Sequence, residues 1–210
     1  MVNVTDGKII RLLVQDEPLD VRYGKTLDHH RVLDFRSGTL RRVTEWESPA
    51  GQRIRVSTER LVSFTQRAVA AIRYEVVPLD STLQLVIQSD LLANEPIERE
   101  GNDPRVAAAL RAPLRSEFAS AKDFRAVLVH RTKRSKLRMA AAMDHELECG
   151  DGMRTDIHAE DDLARLSAAV DVPAGESMVL TKYLSYGWSA RRSAPAIRAQ
   201  VDAALSGALQ

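Results

Sequence analysis

His29 and His30 stand side by side in LDHHRVLD, and His145 precedes Glu146 and Cys149 in HELEC; these groupings have the residue types to hold a metal or move a proton. Neighbouring residues on a strand point to opposite faces, so His29 and His30 cannot grip one ion unless a turn intervenes. HELEC lacks the second histidine of a zinc-protease helix and follows strand-like sequence, and His130 and His145 read as sheet residues. Carboxylates are dense in DGMRTDIHAEDDLAR, Asp151 to Arg165, but nothing marks two of them as the pair glycoside chemistry uses, and HAEDD reads as a solvated turn. The basic run HRTKRSKLR, His130 to Arg138, is either an anion patch or a charged turn between two strands. The one cysteine, Cys149, excludes an internal disulfide and a multi-cysteine zinc site, and no histidine arrangement beside it suggests an activated thiol. Ten glycines stand singly in turns, with no phosphate-cradling loop. The remaining candidates are aromatic. Tyr183, Tyr186 and Trp188 in YLSYGWS form either a platform on which a sugar ring stacks or a strand end with an interface anchor. No residue is assigned to catalysis, to a cofactor or to a metal.

The elements that would position these side chains are read from period-two alternation. QRIRVS sets Ile54 and Val56 against Arg53 and Arg55, and TLQLVIQ sets Leu83, Leu85 and Ile87 against Gln84 and Gln88. FRAVLVHR is apolar on both sides, so both of its faces are expected to be covered. LRMAAAMDH and SMVLTKYLSYGW read as further strands, the latter ending at Gly187. Turn chemistry separates them at SPAGQ, VPLDST, CGDG and VPAGE. Many short strands divided by such turns indicate an antiparallel sandwich or barrel.

ERLVSFTQRAVAAIRYEVVPLD, Glu59 to Asp80, fits a helix by Val69, Ile72 and Val76 and a strand by Ala70, Ile72, Tyr74 and Val76. Pro78 favours the strand, as do the β-branched and aromatic residues, and Leu83–Ile87 is its expected hairpin partner. Asn94 to Lys122 breaks the alternation. It is polar and carries DPRVAAALR, a helix-like piece capped by Asp103 with Pro104 in its first turn. A C-terminal helix follows Ser193, with Ile197, Val201, Ala204 and Leu205 on one stripe.

Composition narrows the function classes. The chain is 44% apolar and 28% charged, and its 30 basic and 29 acidic residues leave a net charge of +1, giving no sign of nucleic acid or membrane binding. No segment approaches a membrane span and no signal-peptide pattern opens the chain, so a cytoplasmic location is expected.

The pattern from Arg31 to Ser63, RVLDFRSGTLRRVTEWESPAGQRIRVSTERLVS, runs straight into the Glu59–Asp80 stretch. With QSDLLANEP, DPRVAAAL, LVHRTKRSKLRMAAAMDH and KYLSYGWSARRS, it resembles the N-terminal domain of glycoside hydrolase family 65, in an alanine- and arginine-rich texture like that of actinobacterial members. The likeness runs along essentially the whole chain. The family holds maltose, trehalose and kojibiose phosphorylases and related hydrolases. The resemblance implies a mainly β chain: a large, supersandwich-like antiparallel β-sandwich over residues 1–190, with a loop or helix insertion. Residues 191–210 would begin a C-terminal linker helix towards an (α/α)6 barrel. It also implies that the chain begins partway into the sandwich, without the first strands, and so covers its open edge by dimerising or rearranging.

In the family, the general-acid glutamate and the phosphate site lie in the barrel, so the resemblance carries no catalytic residue onto this chain. Inorganic phosphate would be a substrate of the longer enzyme and not a ligand of this part, and no cofactor is implied. The implied partners are the barrel, an α-glucoside substrate in the longer enzyme and a second copy of the chain. The contact surface is expected in the Asn94–Lys122 insertion and around Trp188. The competing reading is a free-standing carbohydrate-binding or oligomerisation sandwich.

Overall fold

Alternation of apolar and polar residues becomes strand geometry along most of the chain, in a computed structural model that describes residues 3–95 and 112–209. The strands are β1 (Ile10–Val14), β2 (Glu17–Pro18), β3 (Lys25–Asp34), β4 (Thr39–Glu47), β5 (Arg53–Val62), β6 (Val69–Pro78), β7 (Leu83–Leu92), β8 (Leu114–Lys122), β9 (Arg125–Thr132), β10 (Arg138–Glu148), β11 (Arg154–Ala159), β12 (Leu163–Val172) and β13 (Met178–Ser189). They form an eight-stranded sheet, β3-β4-β5-β6-β13-β10-β9-β8, facing a five-stranded sheet, β11-β12-β7-β1-β2. Every pairing is antiparallel. The expected antiparallel sandwich is the observed one. Gly51 and Gly175 adopt φ of 87° and 83° in SPAGQ and VPAGE, a left-handed backbone open to glycine without steric cost.

Inward-facing residues of both sheets make the core. Ile54, Val56, Tyr74, Val76, Leu180 and Trp46 of the large sheet meet Leu12, Val14, Leu83, Leu85, Ile87 and Leu166 of the small one. A second cluster, around Ile72, Leu91, Leu128, Met143 and Leu184, continues it. The opposite face of β9 and β10 is covered by α1 (Ala194–Ala208), whose Ile197, Val201 and Leu205 pack on Val127, Val129, Ala140 and Ala142. Both faces of β9 are therefore buried, as its continuous apolar run required. Ser193 caps α1, accepting the amide of Ala196, with Pro195 in the first turn. Gly187 lets the helix approach: a Cβ there would lie 3.1 Å from Val201 Cγ1.

Four expectations change. Glu59–Asp80 is strand, turn and strand, but β6 pairs with β5 and β13, while β7 pairs with β1 and β12 in the other sheet. Residues 79–82 are thus a crossing between sheets and not a hairpin turn; both strands bury an inner face, so alternation alone does not tell the two apart. The last part of the Asn94–Lys122 segment is no excursion but the edge strand β8, paired to β9. Its alternation is hidden because most of its side chains are exposed or half-buried. HELEC lies largely within β10, not after a strand, and β13 runs through Gly187 to Ser189. The helix expected at DPRVAAALR falls outside the described residues.

Two polar side chains bridge the interior. His145 on β10 and Lys182 on β13 stand directly opposite each other, and both reach β7. The Nδ1–H of His145 donates to the Phe124 carbonyl (2.8 Å), leaving Nε2 to accept the Ser89 hydroxyl (2.8 Å). Lys182 Nζ donates to the Asp90 carbonyl (2.7 Å) and reaches that of Ile9 (3.4 Å). Burial pushes His145 down to about 3, with the Lys182 charge adding to it, and pushes Lys182 down to about 7 against the attraction of Asp90 and Asp6.

Both shifts mean that the unfolded chain binds the proton more tightly, so each group makes stability rise with pH between its folded and unfolded values. Urea midpoints of the wild type should fall as pH drops from about 6.5 towards about 3, a slope His145→Gln flattens. They should rise between about 7 and 10.5, a rise Lys182→Met lacks. Parallel profiles for wild type and variants would show that these groups do not carry the dependence.

Candidate functional site at one end of the large sheet

The aromatic residues singled out in the sequence do not form one surface. On β13, Leu184 and Tyr186 point into the sandwich, whereas Tyr183 points to the face under α1. Tyr183 donates its hydroxyl to Glu146 Oε2 (2.7 Å), and burial, then the Glu146 carboxylate, pushes it up to about 12. Tyr186 donates to the Thr5 carbonyl (3.1 Å), and burial pushes it up to about 12 as well. Trp188 is 70% exposed. The structure brings Tyr186 and Trp188 together and leaves Tyr183 out.

Tyr186, Trp188, Met139, Leu137 and Val4 line a groove of about 390 Å³ at the end of β10 and β13. The register extends this end across the large sheet: Trp188 lies opposite Met139, Val62 opposite Ala70, and Leu33 opposite Leu40. The connections at the same end expose Phe35 (88%) and Phe64 (81%), so large apolar side chains gather there. Thr5, Tyr186 and the indole N–H of Trp188 are the polar-bearing side chains of the groove, and the Tyr186 hydroxyl is already committed. A sugar site needs hydrogen-bonding groups to orient hydroxyls as well as a ring to stack on. This groove offers an apolar anchor of the kind found at protein interfaces.

The buried titratable groups are engaged in structure. His130 is fully buried, with Nε2 3.0 Å from Asp162 Oδ1. Asn94 Nδ2 donates to the same carboxylate and to the Leu114 carbonyl, and its Oδ1 accepts the Leu114 amide. His29 contacts the Thr44 hydroxyl (3.0 Å), while His30 stands opposite Val43 on the other face. HRTKRSKLR ends β9, turns through Lys133 to Leu137 and enters β10, with Lys133 and Lys136 exposed. The Cys149 thiol lies in a connection, held above its usual range by burial and by Asp151. Among the described residues no three of His, Cys, Asp and Glu are arranged to hold a metal, and no helix is long and apolar enough to cross a membrane.

Sequence reasoning missed the network around Asp90. Its carboxylate, fully buried on β7, accepts from Arg165 on β12 (2.8 and 2.9 Å) and from Arg11 on β1. One signal was readable: in Leu180-Thr181-Lys182-Tyr183-Leu184, parity places a lysine among inward-facing leucines.

The family model for glycosyl hydrolase family 65, N-terminal domain, matches residues 1–210. The chain belongs to that family. An uncharacterized glycosyl hydrolase of Mycobacterium tuberculosis is 45% identical over 208 residues, 99% of this chain and 26% of the relative. An alpha,alpha-trehalose phosphorylase of Thermoanaerobacter brockii is 30% identical over 187 residues, 89% of this chain and 24% of that enzyme. A solved structure from the human microbiome, provisionally assigned as a kojibiose phosphorylase, superposes with a TM-score of 0.81 at 17% identity, over 99% of this chain and 26% of its own. That likeness shows the fold. The family 65 chain described here thus spans about a quarter of the length of the curated relatives it matches.

Trp46 is fully buried and Trp188 mostly exposed, so iodide should quench Trp188 emission and spare Trp46. Trp188→Ala should remove the quenchable component and change stability by no more than about 0.5 kcal/mol. A loss of several times that amount would place Trp188 in the fold's own packing.

Proposed function

We propose that this chain is the non-catalytic N-terminal sandwich of an enzyme that phosphorolyses or hydrolyses α-linked glucose disaccharides such as trehalose or maltose in the cytoplasm. In this reading residues 1–190 form the sandwich and residues 191–210 begin a linker helix towards an (α/α)6 barrel that holds the catalytic acid. The observation that carries it is the match of the N-terminal family model to the full chain, together with a span of about a quarter of the relatives. The names of two relatives, trehalose phosphorylase and kojibiose phosphorylase, supply the substrate class. The state of the polar groups agrees: His130, His145, Lys182 and Asp90 hold the sheets, and the open end presents apolar side chains suited to packing on another protein surface.

In a phosphorolysis with inversion, phosphate attacks the anomeric carbon while a single acid protonates the leaving oxygen, so one protein carboxylate suffices. The sandwich supports the barrel and shapes its rim through the Trp188 end, and the same end accepts a second copy of the chain. The alternative of a free-standing sugar-binding or oligomerisation sandwich draws on the exposure of Trp188. Millimolar maltose, trehalose or glucan that leaves Trp188 fluorescence unchanged counts against its sugar-binding form.

The 210-residue chain should turn over neither trehalose, maltose nor kojibiose, with or without phosphate, in an assay for released glucose and glucose 1-phosphate. Phosphorolysis by this chain overturns the proposal.

A further inference from the structure

On the inner face of β3, β4 and β5 the register sets arginines beside one another. Arg31 stands opposite Arg42, Arg42 opposite Thr58, and Thr58 opposite Tyr74 on β6. Leu40 stands opposite Arg60, which makes Arg60 the diagonal neighbour of Arg42 on that face. Directly opposed Cβ atoms lie about 4.5–5.5 Å apart and diagonal ones about 7–8 Å, and opposed like charges destabilise a sheet. Arginines on the outer face are matched: Arg41 with Glu59, Arg53 with Asp80, Arg55 with Glu45, and Arg73 with Glu75. The inner three are not. Among the described residues, the side chains of Arg31, Arg42, Arg60, Thr58 and Tyr74 make no hydrogen bond and no ion pair. Arg60 is held below its ordinary value by burial and by the charges of Arg42 and Arg31, opposed by Tyr74 and Asp6. The Asp6 carboxylate is itself taken by Lys8.

We propose that Arg31, Arg42 and Arg60, with the hydroxyls of Thr58 and Tyr74 beside them, form a binding site for a free tetrahedral oxyanion of the phosphate or sulfate type. Guanidinium forks match such oxygens in pairs, and hydroxyls donate singly. A protein carboxylate brings one charge and two oxygens, fewer than three cations and two hydroxyls can engage. Phosphate brings close to two charges and four oxygens. The site is open on the β3 side, where every residue is exposed, and recessed towards Tyr74, which is nearly buried.

The test is calorimetric titration of the chain with sodium phosphate, with ionic strength held constant by sodium chloride. Saturable one-to-one binding is expected. Arg42→Gln should weaken it about tenfold or more, as loss of a charged hydrogen bond does. Arg31→Gln, on an exposed edge strand, should weaken it as well without risk to the fold. Arg55→Gln, on the outer face, should leave it unchanged. In chloride alone the Tm of Arg42→Gln should equal or exceed that of the wild type, because an unmatched repulsion is gone. Absence of a saturable response beyond chloride overturns the proposal, and so does binding as tight as the wild type's in both inner-face variants. A glutamate-rich peptide that binds where phosphate does not overturns it in favour of protein docking.

Discussion

The relative placement of the two sheets is fixed at the centre of the interior by one pair of side chains. His145 and Lys182 face each other across β10 and β13 and bond to adjacent residues of β7, Ser89 and Asp90. Apolar contacts between sheets are non-directional and tolerate a slide of one sheet over the other. A buried imidazole that needs a hydroxyl on one nitrogen and a carbonyl on the other tolerates none. Such groups carry a desolvation cost and add little net stability, but an alternative register would leave them unbonded in the interior, at about 1–3 kcal/mol for each orphaned group. Their contribution lies in the uniqueness of the packing more than in its strength.

β7 is the centre of this arrangement in both directions. On its inner side it receives His145 and Lys182; on the other, Asp90 gathers Arg11 from β1 and Arg165 from β12. The small sheet is therefore tied across three neighbouring strands at the level where it is tied to the large one. With five strands it cannot cover eight. What it leaves uncovered on the inner face of the large sheet includes the arginines of β3–β5 and the Tyr186–Trp188 groove.

Sheet content was readable because alternation reports burial on one face, and β5 and β7 alternate over most of their length. Pairing was not, since β6 and β7 have the same inward parity whether they form a hairpin or lie in opposite sheets. β8 escaped notice because an exposed edge strand has no reason to alternate. The helix stripe at Ile197, Val201 and Leu205 was legible by its spacing and by Ser193. Of the candidate platform, Trp188 and Tyr186 came together but Tyr183 did not, and strand parity already separates residues 183 and 186 by an odd step. The arginine cluster was hidden for another reason. Arg31, Arg42 and Arg60 are far apart in sequence, and only the register of β3, β4 and β5 makes them neighbours.

The buried polar groups of this family 65 domain are committed to structure, and that limits the proton transfer open to them. General acid catalysis needs a group free to exchange a proton with solvent or substrate, held near the operating pH. His145 is far below that range and bonded on both nitrogens. His130 is fully buried against Asp162, and Asp90 is saturated by two arginines. Lys182 lies nearest the operating range, at about 7, but is sealed in the interior against two carbonyls. The groups gathered at the open end and on the inner face of β3–β5 are of a different kind: apolar rings and permanently charged guanidinium groups, which bind without exchanging protons. In the proposed reading a surface of that composition recognises and supports, and proton transfer is left to the barrel.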